Sequence, residues 1–289
     1  MGRHPARLHG LARWLLLGAT SATACGPAAS VPSTSPEIAA SSARWAATTS
    51  PSPSPALEPD LESLVSGSRV VRFPASDGVR LGGRLFPGRG PVGLVLSHMG
   101  RGGDDQSDWY PAAARLAELG HTVLTYDRRG VCPGGLRGCS GGHDDFSEHW
   151  RDVLGAIAFL HRRGVDEVFV AGASIGAMAS FRAVQDPAHG AAGVIWVAGL
   201  DFGSGYRFTK PDVSRVEIPK IFVSSEGDLY NAAEAARIMF GYAVRPKRLL
   251  ILPGDEHGTD MLLPGAEGGR ELIDAILAFL RDHAEHGSG

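Results

Sequence analysis

The 289-residue sequence predicts an α/β fold in which a mostly parallel central sheet is covered by helices on both faces. Short, continuously apolar runs of strand length recur along the chain, as strands buried on both sides require. Stretches with apolar residues at helical spacing alternate with them. With 43% hydrophobic and 20% charged residues, the chain is rich and long enough to bury one sizeable core and carry extra segments besides.

The N-terminus stands apart from that alternation. Arg3, Arg7 and Arg13, a short apolar run from Trp14 to Ala19 and small residues from Ser21 to Ala24 read as an export signal over residues 1–24. The apolar run is too short to remain as a membrane span. The stretch Ala22-Thr23-Ala24-Cys25-Gly26 resembles a bacterial lipobox, with Ala22 where Leu is usual, and the resemblance implies a lipid anchor on Cys25. An ordinary cleaved secretory signal is the alternative. Residues 25–60 are almost all Ala, Ser, Thr and Pro, a composition that cannot bury enough surface to fold alone and that stays extended as a tether. The expected organisation is therefore signal, linker and a globular domain over 61–289. It would be exported to the extracytoplasmic face of the membrane, or secreted. A net charge of -3 without a Lys/Arg-rich run lacks the footprint of a nucleic-acid binder.

Within the domain, Val70 to Phe73 and Val79 to Phe86 read as an antiparallel hairpin, because the Asp77-Gly78 pair signals a tight turn between them. Val92 to Ser97 is a buried parallel strand followed by a loop from His98 to Ser107. Trp109 to Leu119 has helical spacing, and His121 to Tyr126 is the next strand. Phe146 to Leu160 places Trp150, Val153, Leu154 and Ile157 on one helical face, ahead of a strand from Glu167 to Ala171. A small-residue helix from Ile175 to Val184, strands Gly193 to Ala198 and Lys220 to Ser224, a helix Ala232 to Tyr242 and a strand Arg248 to Leu252 continue the pattern. In the last helix, Gly269 to His283, Leu272, Ala275, Ile276, Phe279 and Leu280 form a core-facing stripe. About twenty residues lie between the strands ending near Ala198 and beginning near Lys220, too few for a large helical lid, so an open site is expected.

The chemistry concentrates at Gly172-Ala173-Ser174-Ile175-Gly176, which follows a predicted strand and opens a predicted helix. Small residues must flank a turn that sharp, and it points the serine hydroxyl into a cleft at a helix N-terminus. Asp228, in Ser224-Ser225-Glu226-Gly227-Asp228, comes directly after a later strand. His257, in Gly254-Asp255-Glu256-His257-Gly258, comes directly after the last one. This order of serine, acid and histidine resembles the α/β-hydrolase superfamily, and the resemblance covers roughly three quarters of the chain. It implies that Ser174 is the nucleophile, His257 its general base and Asp228 the residue that holds the imidazole. Asp201, just beyond the Gly193 to Ala198 strand, is the alternative acid, because some superfamily members take it from that strand end.

The resemblance further implies an oxyanion hole built from the N–H of Ile175 and a second N–H in His98-Met99-Gly100-Arg101-Gly102-Gly103, either Met99 or Gly100. His98 reads as a brace for that loop. Arg101, Asp127, Arg128 and Arg129 lie on loops at the ligand-binding edge of the sheet, where they either clamp an anionic substrate or, as in a recurrent turn of the family, brace neighbouring loops. Cys132 and Cys139 would pair as a disulfide in an oxidising compartment. Two free thiols, or a metal site with His143, are the alternatives, the last short of the four ligands that structural zinc wants.

The nearer likeness is to small, lidless esterases of the dienelactone-hydrolase-like and cutinase-like kinds, although the former typically use Cys where this chain has Ser174. It implies hydrolysis of a small-molecule carboxylic ester with no cofactor or metal. The alternatives are acyl transfer or peptide cleavage on the same triad, and a binding lipoprotein without turnover.

Overall fold

The computed structural model describes residues 60–132 and 139–284. The predicted export signal, Cys25 and the linker as far as residue 59 lie outside the described residues.

A short helix α1 (Leu61–Leu64) leads into β1 (Arg69–Pro74) and β2 (Arg80–Phe86), an antiparallel hairpin with Arg69 opposite Leu85 and Pro74 opposite Arg80. Its turn sets Gly78 at φ 89°, a conformation that costs glycine nothing. There follow β3 (Val92–Ser97), α2 (Tyr110–Glu118), β4 (Thr122–Tyr126), α3 (His149–His161), β5 (Glu167–Ala173), α4 (Ile175–Ala183) and β6 (Ala191–Val197). A two-residue hairpin, β7 (Phe202–Gly203) and β8 (Tyr206–Arg207), and a one-turn helix α5 (Lys210–Ser214) fill the connection to β9 (Lys220–Ser225). The chain ends with α6 (Ala232–Tyr242), β10 (Lys247–Leu252) and α7 (Gly269–His283).

Eight strands form one sheet in the order β1-β2-β4-β3-β5-β6-β9-β10, parallel from β4 onward. One face is covered by α3, α4 and α6, through residues such as Val153, Ile157, Met178, Phe181 and Met239. The other face is covered by α2 and α7, through Leu116, Leu272, Ile276 and Phe279. All five residues of the predicted stripe on α7 are buried. Elements shift by a few residues from their predicted bounds: the helix expected from Phe146 starts as a 3-10 turn, Phe146–Glu148, before α3 begins at His149. The β7–β8 hairpin and α5 were not predicted, being too short for either periodicity to register.

From β3 the chain moves first to β4 on one side and then across to β5 on the other. At such a reversal the loops leaving the two strands diverge and open a crevice. Register aligns Ser97 with Gly172, Ala173 with Val197, and Ser225 with Leu252, so the loops after β3, β5, β6, β9 and β10 leave from a common edge.

Candidate active site

Ser174 occupies the single residue between β5 and α4, at φ 53° and ψ −120°. A non-glycine residue held there stores roughly 1–3 kcal/mol of strain, which persists only where neighbours over-determine it. The neighbours are present. The Ser174 N–H donates to the Val197 carbonyl at 2.9 Å, and the Ser174 carbonyl accepts from the N–H groups of Ala177 and Met178 at 3.0 and 3.2 Å. A Cβ on Gly172 would collide with the Gly176 carbonyl, and one on Gly176 with the Ser97 carbonyl, so both flanking glycines are steric requirements of the turn. Ser174 itself is half-buried between buried neighbours.

Asp228 and His257 meet across 29 residues, with His257 Nδ1 2.7 Å from Asp228 Oδ2. The other carboxylate oxygen accepts the Tyr230 N–H at 2.8 Å, which fixes the turn after β9. An ionised carboxylate only accepts, so Nδ1 carries the proton and Nε2 presents its lone pair. The two loops are tied to each other by Ser225 Oγ donating to the Glu256 carbonyl at 2.7 Å and by Gly227 N–H donating to the Gly254 carbonyl at 2.9 Å. Next to His257, Gly258 sits at φ 59°, and a Cβ there would lie 2.5 Å from Met99 Sδ and 3.3 Å from Ala173 Cβ. The histidine loop therefore packs against residues of both the serine turn and the loop after β3. Asp201, the alternative acid, lines a cleft beyond β6, and the carboxylate on His257 is that of Asp228.

Ile175 opens α4, and the loop after β3 lies against it: a Cβ on Gly100 would be 2.8 Å from Ile175 Cγ2. Arg128 orders that loop. Its backbone N–H donates to His98 Nε2 at 3.1 Å, and its Nη1 lies 3.0 Å from His98 Nδ1 while donating to the Met99 carbonyl at 2.6 Å. Burial first, then the Arg128 charge, push the His98 pKa well below the ordinary histidine value, so the ring is a neutral brace. With the Met99 carbonyl turned to Arg128, the Gly100 N–H on the same trans peptide points the opposite way. Gly100 stands next to Ile175, and Met99 precedes it in the same loop.

The remaining charges pair with one another. Arg128 forks onto Asp144 at 2.9 and 3.0 Å, and Arg129 bonds both Asp77 and the fully buried Asp152. Asp127 accepts from the backbone and side chain of Gln106 at 3.0 and 2.7 Å. Arg101 forks onto Asp260. All three arginines serve as loop braces, the second of the two sequence readings. Cys132 and Cys139 are joined in a disulfide, so neither offers a thiolate to a metal. Sequence reasoning missed Tyr230, whose ring centroid lies 4.5 Å from that of His257. Its only sequence signal is its place two residues after Asp228. Tyr230 also forms one wall of an open cleft of about 430 Å³, with Leu200, Phe202 and Ile238 among its other walls.

Residues 94–201 match the family described as serine aminopeptidase, S33. The match spans β3 to the turn after β6, including Ser174, and stops short of Asp228 and His257. Two Mycobacterium tuberculosis proteins, from strains CDC 1551 and H37Rv and both described as uncharacterized, are each 29% identical over 254 residues, covering 80% of this chain and 86% of theirs. Among solved structures, an esterase of Pyrococcus furiosus superposes with a TM-score of 0.63 at 13% identity, covering 78% of this chain and 96% of its own. The enol-lactonase of Burkholderia xenovorans LB400 gives 0.57 at 17%, covering 72% and 99%. A thermophilic esterase of Thermogutta terrifontis gives 0.59 at 15%, covering 75% and 100%. The fold is that of the α/β hydrolases.

Proposed function

We propose that the chain is a serine hydrolase that cleaves a carboxylic ester through an acyl-serine intermediate. The observation that carries the reading is the pairing of a strained strand-to-helix serine, Ser174, with a His257–Asp228 couple on a loop packed against it. Ser174 Oγ attacks the ester carbonyl as His257 Nε2 takes its proton, forming a tetrahedral oxyanion at the start of α4. Collapse breaks the bond to the alcohol, which leaves with the proton returned by His257. Water, deprotonated by the same nitrogen, then attacks the acyl-serine and releases the acid and Ser174. Asp228 holds the proton-bearing Nδ1 and stabilises the imidazolium without itself being protonated. The oxyanion is received by the Ile175 N–H and an N–H of Met99 or Gly100, near the positive end of α4.

The P. furiosus and T. terrifontis esterases and the B. xenovorans enol-lactonase support ester chemistry as the reading for this fold. The serine aminopeptidase description of the matched family supports a second reading, amide cleavage by the same steps with an amine as the leaving group. Lipidation at Cys25, by the lipobox resemblance, would hold the domain at the extracytoplasmic face of the membrane behind its linker. A Cys25→Ala chain would then leave the membrane fraction.

The test is mass spectrometry of the full chain after a fluorophosphonate probe, beside Ser174→Ala, with a short-chain nitrophenyl ester assay on both. One adduct and ester turnover, both lost in the variant, support the reading. A folded chain with neither overturns it in favour of a binding protein without turnover.

A further inference from the structure

The cleft beyond β6 shares the Tyr230 wall with His257, yet nothing in the reaction steps above uses it. Its apolar lining includes Leu200, Ala235 and Ile238, and its two aromatic residues, Phe202 and Tyr230, are exposed. Leu229, outside the lining but next to Tyr230 in the chain, is 88% exposed. Large apolar side chains this exposed at a cavity are what an apolar ligand would cover. Two carboxylates, Asp201 and Glu234, and the neutral Asn231 complete the lining, and no Lys or Arg belongs to it. Arg237, one turn beyond Glu234 on α6, is engaged by Glu226, and Arg207, opposite Phe202 in the β7–β8 hairpin, is outside the lining.

Aromatic faces and carboxylates beside an apolar lining form an environment that favours one kind of group. A carboxylate or phosphate entering it would lose hydration and face two like charges. A neutral chain would cover the apolar lining and gain nothing from Asp201 or Glu234. An alkylammonium would cover the apolar lining, stack its cation on Tyr230 or Phe202, and be drawn by both carboxylates. On the serine side of the site, Arg101, Arg128 and Arg129 are each paired with carboxylates, so among these described residues no free guanidinium opposes this.

We infer that the cleft lined by Leu200, Asp201, Phe202, Tyr230, Glu234 and Ile238 is a subsite for an apolar arm ending in an ammonium group, making the substrate a cationic amphiphilic ester. This rests on the hydrolase reading above and names its substrate class. Exposed ion pairs and an exposed cation–π contact are individually weak, so the subsite is worth roughly a tenfold preference over a neutral arm of equal shape.

The test uses the full chain and nitrophenyl esters of equal length whose acyl arms end in trimethylammonium, tert-butyl or carboxylate, together with acetate esters of alcohols bearing the same three ends. In one of the two series kcat/KM should fall in that order, with the ammonium about tenfold above its tert-butyl isostere, and the gap should shrink as salt is added. The readout is the ammonium to tert-butyl ratio within each protein, which cancels any general loss of activity. It should fall towards one in Glu234→Gln, Asp201→Asn. A ratio near one in both series for the unaltered chain, with the tert-butyl esters turned over, overturns the inference and leaves the hydrolase reading intact. If no ester is turned over and Ser174 takes no probe, the hydrolase reading fails. Calorimetric binding of a trimethylammonium alcohol against its tert-butyl counterpart then decides the subsite: tighter binding of the cation, lost in the double variant, supports it, and equal or absent binding overturns it.

Discussion

Arg101 and Asp260, 159 residues apart, join the two loops that flank the serine turn by parallel bonds of 2.7 and 2.8 Å from one guanidinium to one carboxylate. Arg101 follows Met99 and Gly100, and Asp260 follows His257, so the pair clasps the oxyanion loop to the histidine loop. Arg101 is half exposed, and an exposed pair adds at most about 1 kcal/mol to stability. Its larger effect is on alignment. Asp260→Asn should lower kcat/KM on a short neutral ester about three- to tenfold while moving the unfolding midpoint by only a few degrees. An unchanged kcat/KM would remove the clasp from the account of the site.

Replacing Asp228 by Asn keeps an oxygen for the Tyr230 N–H but turns an NH2 towards His257 Nδ1. That nitrogen must then accept, which moves the imidazole proton to Nε2, where the base is needed. Turnover should fall on the order of 10⁴-fold with the fold retained, measured by ester hydrolysis beside the thermal midpoint. The same loss in Asp201→Asn, with Asp228→Asn active, would transfer the role to the other acid.

Arg129 covers Asp152, whose side chain has no exposure and whose carboxyl burial pushes up to about 6. Arg129→Met leaves that carboxylate buried with one backbone N–H as partner and should cost about 3–5 kcal/mol of stability in denaturant unfolding. Part should return in the double variant with Asp152→Asn. If Arg129 is a brace, kcat/KM per folded molecule on a neutral ester should not change. A specific loss on anionic esters would revive the clamp.

Asp108 is half-buried, and its Oδ2 has no hydrogen-bond partner among the described residues. Burial and the neighbouring Asp104, Asp105 and Asp260 push its carboxyl up to about 7, against the opposing charge of Arg101. A carboxyl whose folded value exceeds its unfolded value of about 4 stabilises the fold below that value, and the contribution is lost as pH rises through 7. Asp108→Asn should therefore raise the unfolding midpoint near pH 8 and leave it almost unchanged near pH 4. A pH-independent difference between the two chains would remove the titration from the explanation.

Much of this architecture was legible from local patterns. The Asp77-Gly78 turn, the continuous apolar strands and the α7 stripe each express a repeat of two or 3.6 residues, or a backbone need for glycine, which neighbouring residues alone specify. Gly172-Ala173-Ser174-Ile175-Gly176 was legible for the same reason: the glycines exist because a Cβ at either place would strike backbone within the turn or directly beneath it. The β7–β8 hairpin and α5 gave no such signal, since two-residue strands and a single helical turn complete no period. They matter nonetheless, because Phe202 enters the cleft from β7.

The sequence by itself determined the alternation of strands and helices, the serine turn and the chain order of Ser174, Asp228 and His257, all of which depend on residues close together in the chain. Only the tertiary structure decided that Asp228 rather than Asp201 meets His257, that Arg101, Arg128 and Arg129 are spent on carboxylates, and that Tyr230 stands between the histidine and an aromatic, acidic cleft. Those outcomes follow from sheet order and strand register. Register brings the loops after β3, β5, β6, β9 and β10 to one edge, and no local pattern specifies which side chains then come within hydrogen-bonding distance.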